Sequence, residues 1–193
     1  MDVYEAILKR RTIRKFKQDL IPTDVLEKLV NAARLAPSGA NLQPIKYVII
    51  NDPELLPSVF SMTRWAAYIA PKGTPQAGEE PTAYIAVLAD REIRATGYDS
   101  DAGAAIENLI LTAVSEGIGS CWLGSIDREG LRELLQIPEN YHIHSLIALG
   151  YPAESPVAED AVDSIKYYKD ENGTLHVPKR TLAEVMFVNR VGN

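Results

Sequence analysis

The sequence predicts an α+β domain built around a modest sheet. Its 193 residues are 46% hydrophobic and 24% charged, which is the composition of a folded globular chain. Helical and strand-like segments interleave, and neither an internal repeat nor a flexible linker divides them. The segment 101–116 is apolar on nearly every side, so we expect a buried helix at the centre of the fold. Together these features predict one domain over residues 1–193.

The chain is expected to begin with two helices. Asp2 and Glu5 have the spacing of a capping box, which predicts a first helix ending near Arg11. A second helix should open at Pro22-Thr23, because its apolar residues follow the helical period, and Pro37 should stop it.

Two strands and a third helix are predicted next. The run 47–50 is typical of a short buried strand, and Asp52 before a proline predicts the N-cap of a helix over 53–61. Residues 70–81 contain three prolines and two glycines, which favours a loop or lid. A second apolar strand should cover 84–89.

Gly117 should end the central helix as its C-cap. The last forty residues differ in pattern and are expected to form a trailing arm. The remaining predicted elements are a strand at 120–123, a helix capped by Asp127 to about Leu135, a strand at 144–149, a hairpin at 167–177 around Glu-Asn-Gly, and a short helix capped by Thr181 and Glu184.

Charge is distributed unevenly along the chain. The net charge is −6, yet residues 9–17 carry six basic side chains and no acidic one. The acidic remainder disfavours a general nucleic-acid surface, because phosphate-backbone binding needs a broad basic face. A compact basic cluster on an acidic protein instead suits one small anion. The basic residues are Lys9, Arg10, Arg11, Arg14, Lys15 and Lys17.

Several familiar chemistries lack their motifs. The sequence has no G-x-G-x-x-G, P-loop, G-x-S-x-G or H-E-x-x-H pattern. Cys121, the only cysteine, excludes a disulfide framework, and its apolar strand favours a buried side chain over a nucleophile. His142 and His144 lack an evident third ligand, so no metal site is expected. The absence of a signal-like or membrane-spanning apolar run predicts a cytoplasmic protein without membrane contact.

Three polar segments remain as candidate binding elements. Arg10, Arg11, Thr12 and Arg14 could cradle an anion, because guanidinium groups bind phosphate bidentately, although cations also favour the end of a helix. The loop 37–44 offers Ser38, Asn41 and Gln43 between two prolines, although such residues also make ordinary turns. Lys179 and Arg180 precede a short helix and could equally be a solvated pair.

In order and spacing these segments resemble the nitroreductase family of flavin-dependent oxidoreductases. The resemblance spans nearly the whole chain. Its motifs are Arg10 to Phe16, Ala36 to Pro44, Asp101 to Gly124 with the ending Gly-x-Gly-Ser-Cys-Trp-Leu-Gly, Ala148 to Pro152, and Lys179-Arg180.

The resemblance implies a central mixed, mostly antiparallel sheet flanked by helices, and a homodimer that shares two flavin mononucleotide (FMN) sites between its subunits. A C-terminal arm, about residues 164–193, would extend over the partner. Contacts to the phosphate and ribityl chain would come from Arg10, Arg11, Thr12, Lys179 and Arg180. Arg14 would lie near the pyrimidine edge of the flavin and tune it. The partner would supply Pro37, Ser38, Gly39, Asn41 and Gln43, while Cys121, Trp122, Leu123 and Gly124 would line the cofactor.

The function that the resemblance implies is NAD(P)H-dependent reduction of nitroaromatic, quinone or similar electrophilic acceptors by a ping-pong hydride transfer. The flavin carries this chemistry, so no catalytic side chain is required. The alternatives are a flavin reductase, a dehalogenase, an azole-forming dehydrogenase or a flavin-cleaving enzyme. A flavin-binding protein without turnover is a further alternative.

Two departures from the family pattern concern the substrate side. Ile45 stands where many relatives have an aromatic residue, and Leu123 stands where many have a glutamate. The segment 63–80 has no family match. We expect it to shape the mouth of the substrate pocket through Trp65, Tyr68 and Gln76.

Overall fold

The computed structural model describes residues 1–192 and has a four-stranded antiparallel sheet at its centre. The spatial order of the strands is β1-β2-β4-β3. This confirms the α+β class. Within residues 1–192, parallel pairing occurs only in a bridge between Thr12 and Ser120 and in a second, smaller sheet. The strands are β1 (Ile45–Ile50), β2 (Ala83–Asp90), β3 (Gly119–Leu123) and β4 (Tyr141–Gly150).

Helices cover both faces of this sheet. Strand β2 is buried along its whole length, because it lies between β1 and β4 and is covered on both faces. The helices are α1 (Val3–Lys9), α2 (Thr23–Arg34), α3 (Leu56–Ser61), α4 (Asp99–Ser115), α5 (Arg128–Leu134) and α6 (Leu182–Val185), with single 3₁₀ turns at Gly39–Asn41 and Ala67–Ile69.

The predicted central helix is confirmed as α4. Ile106 and Leu109 are fully buried between α2 and one face of the sheet. The opposite face packs against a second apolar cluster that includes Phe16, Trp65 and Leu131. Phe16 belongs to the segment that joins α1 to α2, so this cluster holds the basic N-terminal segment against the sheet.

Two helix boundaries differ from the sequence prediction. Helix α3 begins at Leu56, not at Pro53, because Asp52 organises a turn instead of capping the helix: its Oδ1 accepts from the Glu54 amide at 2.9 Å. Helix α1 ends at Lys9, and Arg10 is its C-cap, so Arg11 lies beyond the helix.

The second sheet lies in the C-terminal part of the chain. The hairpin predicted at 167–177 is present as β6 (Tyr168–Lys169) and β7 (Leu175–Lys179). Strand β5 (Val157–Asp160) pairs with β7 in parallel and was not predicted, because it is mostly exposed and carries no apolar alternation. The end of the arm predicted at 164–193, Asn193, lies outside the described residues.

An ionic cluster joins the three strands of this second sheet. His176 Nδ1 lies 2.8 Å from Glu159 Oε2, and His176 Nε2 lies 3.4 Å from Asp170 Oδ2. The Tyr168 ring stacks on the imidazole at 4.9 Å, and its hydroxyl donates to Glu159. The hydrogen bond to Glu159 raises the pKa of His176, with Asp170 adding to the effect.

We predict that His176 titrates above the ordinary histidine value of about 6.5, whereas His144 titrates below it because burial lowers its pKa. A raised pKa in the folded state means that protonated His176 stabilises the second sheet at low pH. This stabilisation is lost as pH rises through the folded-state pKa. NMR titration of the imidazole protons measures both values. A His176 pKa below that of His144 would contradict the assignment.

Candidate functional site

A cavity of about 600 Å³ opens beside the end of β3. This volume suits a cofactor or drug-sized ligand. Two arginines and no carboxylate line it, so its walls favour an anionic or electron-rich ligand. The lining residues are Arg14, Thr63, Arg64, Trp65, Ala66, Ala67, Ala70, Pro71, Thr74, Cys121, Trp122, Leu123, Gly124, Ser125 and Tyr167.

Backbone pairing places the basic N-terminal segment at this cavity. The Ile13 amide donates to the Ser120 carbonyl at 2.9 Å, so the chain runs beside β3. Phe16 then pairs with Pro152 in an antiparallel bridge. Arg14 lies between these two attachments, and its position is therefore fixed by its neighbours.

Two glycines allow this close approach. A Cβ on Gly119 would lie 2.7 Å from Ile13 Cγ1, and a Cβ on Gly150 would lie 2.7 Å from Phe16 Cδ1. A larger residue at either position would push the segment, and Arg14 with it, away from the sheet.

Arg14 has the environment expected of a ligand-binding guanidinium. Its backbone amide donates to Glu154 Oε1 at 2.6 Å, and its Cζ lies 5.2 Å from the centre of the Tyr167 ring. Its Nε is buried and has no hydrogen-bond partner. In residues 1–192 only two other buried side-chain atoms lack a partner, Thr82 Oγ1 and the Tyr84 hydroxyl. A buried donor without an acceptor is costly, so a ligand acceptor at this position fits the site.

Arg10, Arg11 and Thr12 lie next to Arg14 in sequence but outside the cavity wall. Arg11 donates to the Arg10 carbonyl, and burial together with the neighbouring Arg10 charge lowers the pKa of Arg11. Within residues 1–192 neither arginine forms an ion pair. Their charges are therefore available to an anion outside this chain.

The end of β3 supplies the opposite wall. Burial raises the pKa of Cys121 to about 12, so the thiol is protonated at neutral pH, as expected for a structural cysteine. Trp122 is 43% exposed and borders the cavity, whereas Leu123 is buried. Gly124 follows the strand and is exposed, which leaves the backbone there accessible.

The second predicted element, the loop 37–43, lies at a different cavity of about 170 Å³. Pro37, Ser38 and Gln43 line it together with Asp101. Asn41 and Gly39 belong to the exposed 3₁₀ turn of the same loop. The Ser38 hydroxyl accepts from the Gln43 amide at 3.0 Å.

One chain does not bring these two elements together. The loop leads into β1, at one edge of the sheet, while the Arg14 cavity borders β3, at the other edge. Three strand spacings separate these edges, at least about 14 Å. The two cavities have no lining residue in common.

Lys179 and Arg180 also lie away from the Arg14 cavity. Lys179 ends β7 and pairs with Asp160 in the second sheet, and Arg180 follows it. Both are exposed and line neither cavity.

The three predicted substrate-pocket residues have different positions. Trp65 lines the cavity but is only 6% exposed, and its Nε1 donates to the Thr63 hydroxyl at 2.8 Å. Tyr68 lies 5.0 Å from the Tyr167 ring and is exposed beside the cavity. Gln76 does not line the cavity in this chain, and its side chain donates to the Thr74 carbonyl at 3.0 Å.

Three residues around the site were not singled out from the sequence. Tyr167 packs against Arg14 from 153 positions away, and Glu154 fixes the Arg14 backbone from 140 positions away. Asp101 contacts the loop 37–43 through the Gly39 amide. Glu154 lies just after the end of β4, but nothing in the sequence indicated that it would contact Arg14.

The fold and site define an α+β protein with a cavity of about 600 Å³ that Arg14 and Arg64 line. Residues 7–151 match the family model described as "Nitroreductase family", and the chain belongs to that family. The family predicted from the sequence motifs is thus confirmed. An Archaeoglobus fulgidus protein with the provisional name NADH dehydrogenase/NAD(P)H nitroreductase is 38% identical over 166 residues, covering 82% of this chain and 90% of the relative.

Two other similarities concern ligand and reaction. A structure from Desulfovibrio desulfuricans, described as a nitroreductase in complex with FMN, has a TM-score of 0.70 and 25% identity and covers 98% of each chain. A protein of Haliscomenobacter hydrossis named iodotyrosine deiodinase is 27% identical and covers 82% of this chain and 83% of its own length. The predicted fold family is thereby confirmed as well.

Among residues 1–192, no helix has both the length and the apolar character needed to cross a membrane. The same residues hold no cluster of three or more side chains suited to a metal ion.

Proposed function

We propose that this protein is an FMN-dependent oxidoreductase that uses NAD(P)H to reduce small electrophilic acceptors such as nitroaromatics or quinones. One observation carries the proposal: the buried Nε of Arg14 lacks a partner at the wall of an acid-free cavity of about 600 Å³. Family membership and the FMN complex of a relative support the choice of ligand.

The residues present fit FMN. Arg14 offers a fixed donor and a positive charge to the flavin ring, and the exposed backbone at Gly124 offers a second contact. Trp122 and Tyr167 supply aromatic surface at the cavity for a planar ring system. Arg10, Arg11 and Thr12 are proposed to hold the phosphate, because the two guanidiniums have no competing carboxylate in residues 1–192.

Bound FMN would supply the hydride and electron-transfer chemistry. The chain would bind and orient the cofactor, and Arg14 would favour its electron-rich, reduced form through charge. The protonated Cys121 thiol takes no part as a nucleophile.

We further propose that the working unit is a homodimer. The loop 37–43 and the Arg14 cavity lie at opposite sheet edges, so a complete site containing both needs a second copy. The exposed apolar side chains Val185, Met186, Phe187 and Val188 support an arm, about residues 164–193, that packs on a partner. Lys179 and Arg180, which belong to this arm, would then contact the FMN phosphate.

The proposal is tested by anaerobic stopped-flow mixing of the FMN-loaded protein with NADH and with NADPH, followed by an acceptor panel. We expect bleaching of the flavin absorbance by at least one nicotinamide and its recovery with a nitroaromatic or quinone. A bound flavin that neither nicotinamide reduces would contradict the oxidoreductase proposal and favour a binding protein.

Dehalogenation is a second candidate, which the deiodinase-named relative favours. Iodotyrosine therefore belongs in the same acceptor panel. Iodide release at a rate exceeding nitroaromatic reduction would select this reaction.

A further inference from the structure

Asp101 is a buried carboxylate that lines the smaller cavity and contacts the loop 37–43. It lies in the first turn of α4 and is 7% exposed. Its Oδ1 accepts from the Gly39 amide at 3.0 Å, and its Oδ2 accepts from Arg94 Nη1 at 3.1 Å. A charge with so little water contact persists only when it is paired and hydrogen-bonded, and both partners lie outside its own helix.

The loop that Asp101 contacts has an unfavourable backbone conformation. Ala40, Asn41 and Gln43 have φ values of 51°, 56° and 53°, which is the left-handed region that favours glycine. Residues in this region are unfavourable and persist only where the surroundings fix them. The bond between Ser38 and the Gln43 amide is internal to the loop. The bond from Gly39 to Asp101 ties the loop to the body of the protein.

Arg94 completes this attachment. A Cβ on Gly39 would lie 2.6 Å from Arg94 Nη1, so the guanidinium packs directly against the loop backbone. Arg94 is itself held, because its Nε donates to the Thr96 carbonyl at 3.1 Å. The loop, the guanidinium and the start of α4 thus form one hydrogen-bonded unit.

We propose that Asp101 and Arg94 are positioning residues that hold the loop 37–43 in the shape in which Ser38, Asn41 and Gln43 meet FMN in a partner subunit. This inference rests on the proposed function. The strained backbone is fixed before the cofactor arrives, so binding does not have to order it. Loss of the attachment should therefore weaken FMN binding although neither residue touches the cofactor.

The test titrates FMN into the apoprotein of Asp101→Ala and follows flavin fluorescence. We expect the Kd for FMN to rise about tenfold or more relative to the wild type. Asp99→Ala is the matched control, because it removes a carboxylate from the same helical turn that is 78% exposed and does not contact the loop. Hydrogen exchange of the amides at 38–43 in the apoprotein should accelerate in Asp101→Ala and not in Asp99→Ala.

A second pair of variants covers the case in which Asp101→Ala fails to fold. Gly39→Ala should displace the Arg94 guanidinium and raise the Kd for FMN. The double variant Gly39→Ala/Arg94→Ala should bind FMN no worse than Arg94→Ala alone, because the guanidinium that the new Cβ would displace is already absent. Additive losses would overturn the inference.

The outcomes also separate this inference from the proposed function. If the wild type binds FMN and Asp101→Ala matches it within about twofold, only the positioning role is wrong. A lower unfolding temperature of the apoprotein with an unchanged FMN Kd would show a merely structural role and would likewise overturn the inference. A wild-type protein that does not bind FMN would overturn the proposed function itself.

Discussion

Arg10→Ala is expected to raise the Kd for FMN by about 10- to 150-fold. One charge-assisted hydrogen bond contributes about 1.5–3 kcal/mol, and the Arg10 charge has no carboxylate to compensate it within residues 1–192. The effect should shrink at high salt, because the contact is ionic and Arg10 is partly exposed. Fluorescence titration of the apoprotein at two salt concentrations measures both.

Lys9→Ala is the control for Arg10. The substitution removes the same charge as Arg10→Ala, but from the adjacent, exposed position in the last turn of α1. We expect a change in Kd of less than about threefold, because only long-range attraction is lost. Equal effects of Lys9→Ala and Arg10→Ala would mean that the cluster attracts the anion without a specific contact at Arg10.

Arg14→Ala is expected to lower the midpoint potential of bound FMN by about 30–60 mV. The guanidinium favours the more negative, reduced flavin, and a differential interaction of about 1.4–3 kcal/mol corresponds to this shift in a two-electron couple. Flavin reduction by NAD(P)H should slow at the same time. Spectroelectrochemical titration of the FMN-saturated variant gives the potential directly.

The control for Arg14 is Lys15→Ala. Lys15 is the next residue and carries the same charge, but its Nζ is paired with Glu79 Oε1 at 2.7 Å. We expect the midpoint potential of FMN bound to Lys15→Ala to stay within about 10 mV of the wild-type value. Arg14→Lys should restore part of the lost potential, because lysine supplies the positive charge but not the planar guanidinium group. An unchanged potential in Arg14→Ala would show that this guanidinium does not face the flavin.

Local patterns made most of the fold predictable. The capping box of α1 is present as predicted, with the Glu5 amide donating to Asp2 Oδ1 at 2.8 Å. The apolar run of α4 specified a central helix because most of its apolar side chains need burial, although Glu107 is exposed. Strand β5 was not predicted because it has no buried face to impose an apolar pattern, and it pairs with β7 and not with the next strand in sequence.

The site was predictable where residue type alone carries the chemistry. The density of arginines pointed to an anion, and the structure places Arg14 at a cavity wall. The direction of the Gln76 side chain could not be predicted, because the sequence of a proline-rich loop does not determine which way each side chain points. Asp101 was missed because its contact with Gly39 spans 62 positions, and a carboxylate at a helix start has an ordinary local explanation.

The most direct test of the proposed function is whether the purified protein binds FMN. An absorbance spectrum combined with light scattering after size exclusion gives the flavin-to-subunit ratio and the oligomeric state together. We predict a yellow homodimer with a ratio near one. A colourless protein that also fails to bind added FMN would contradict the account.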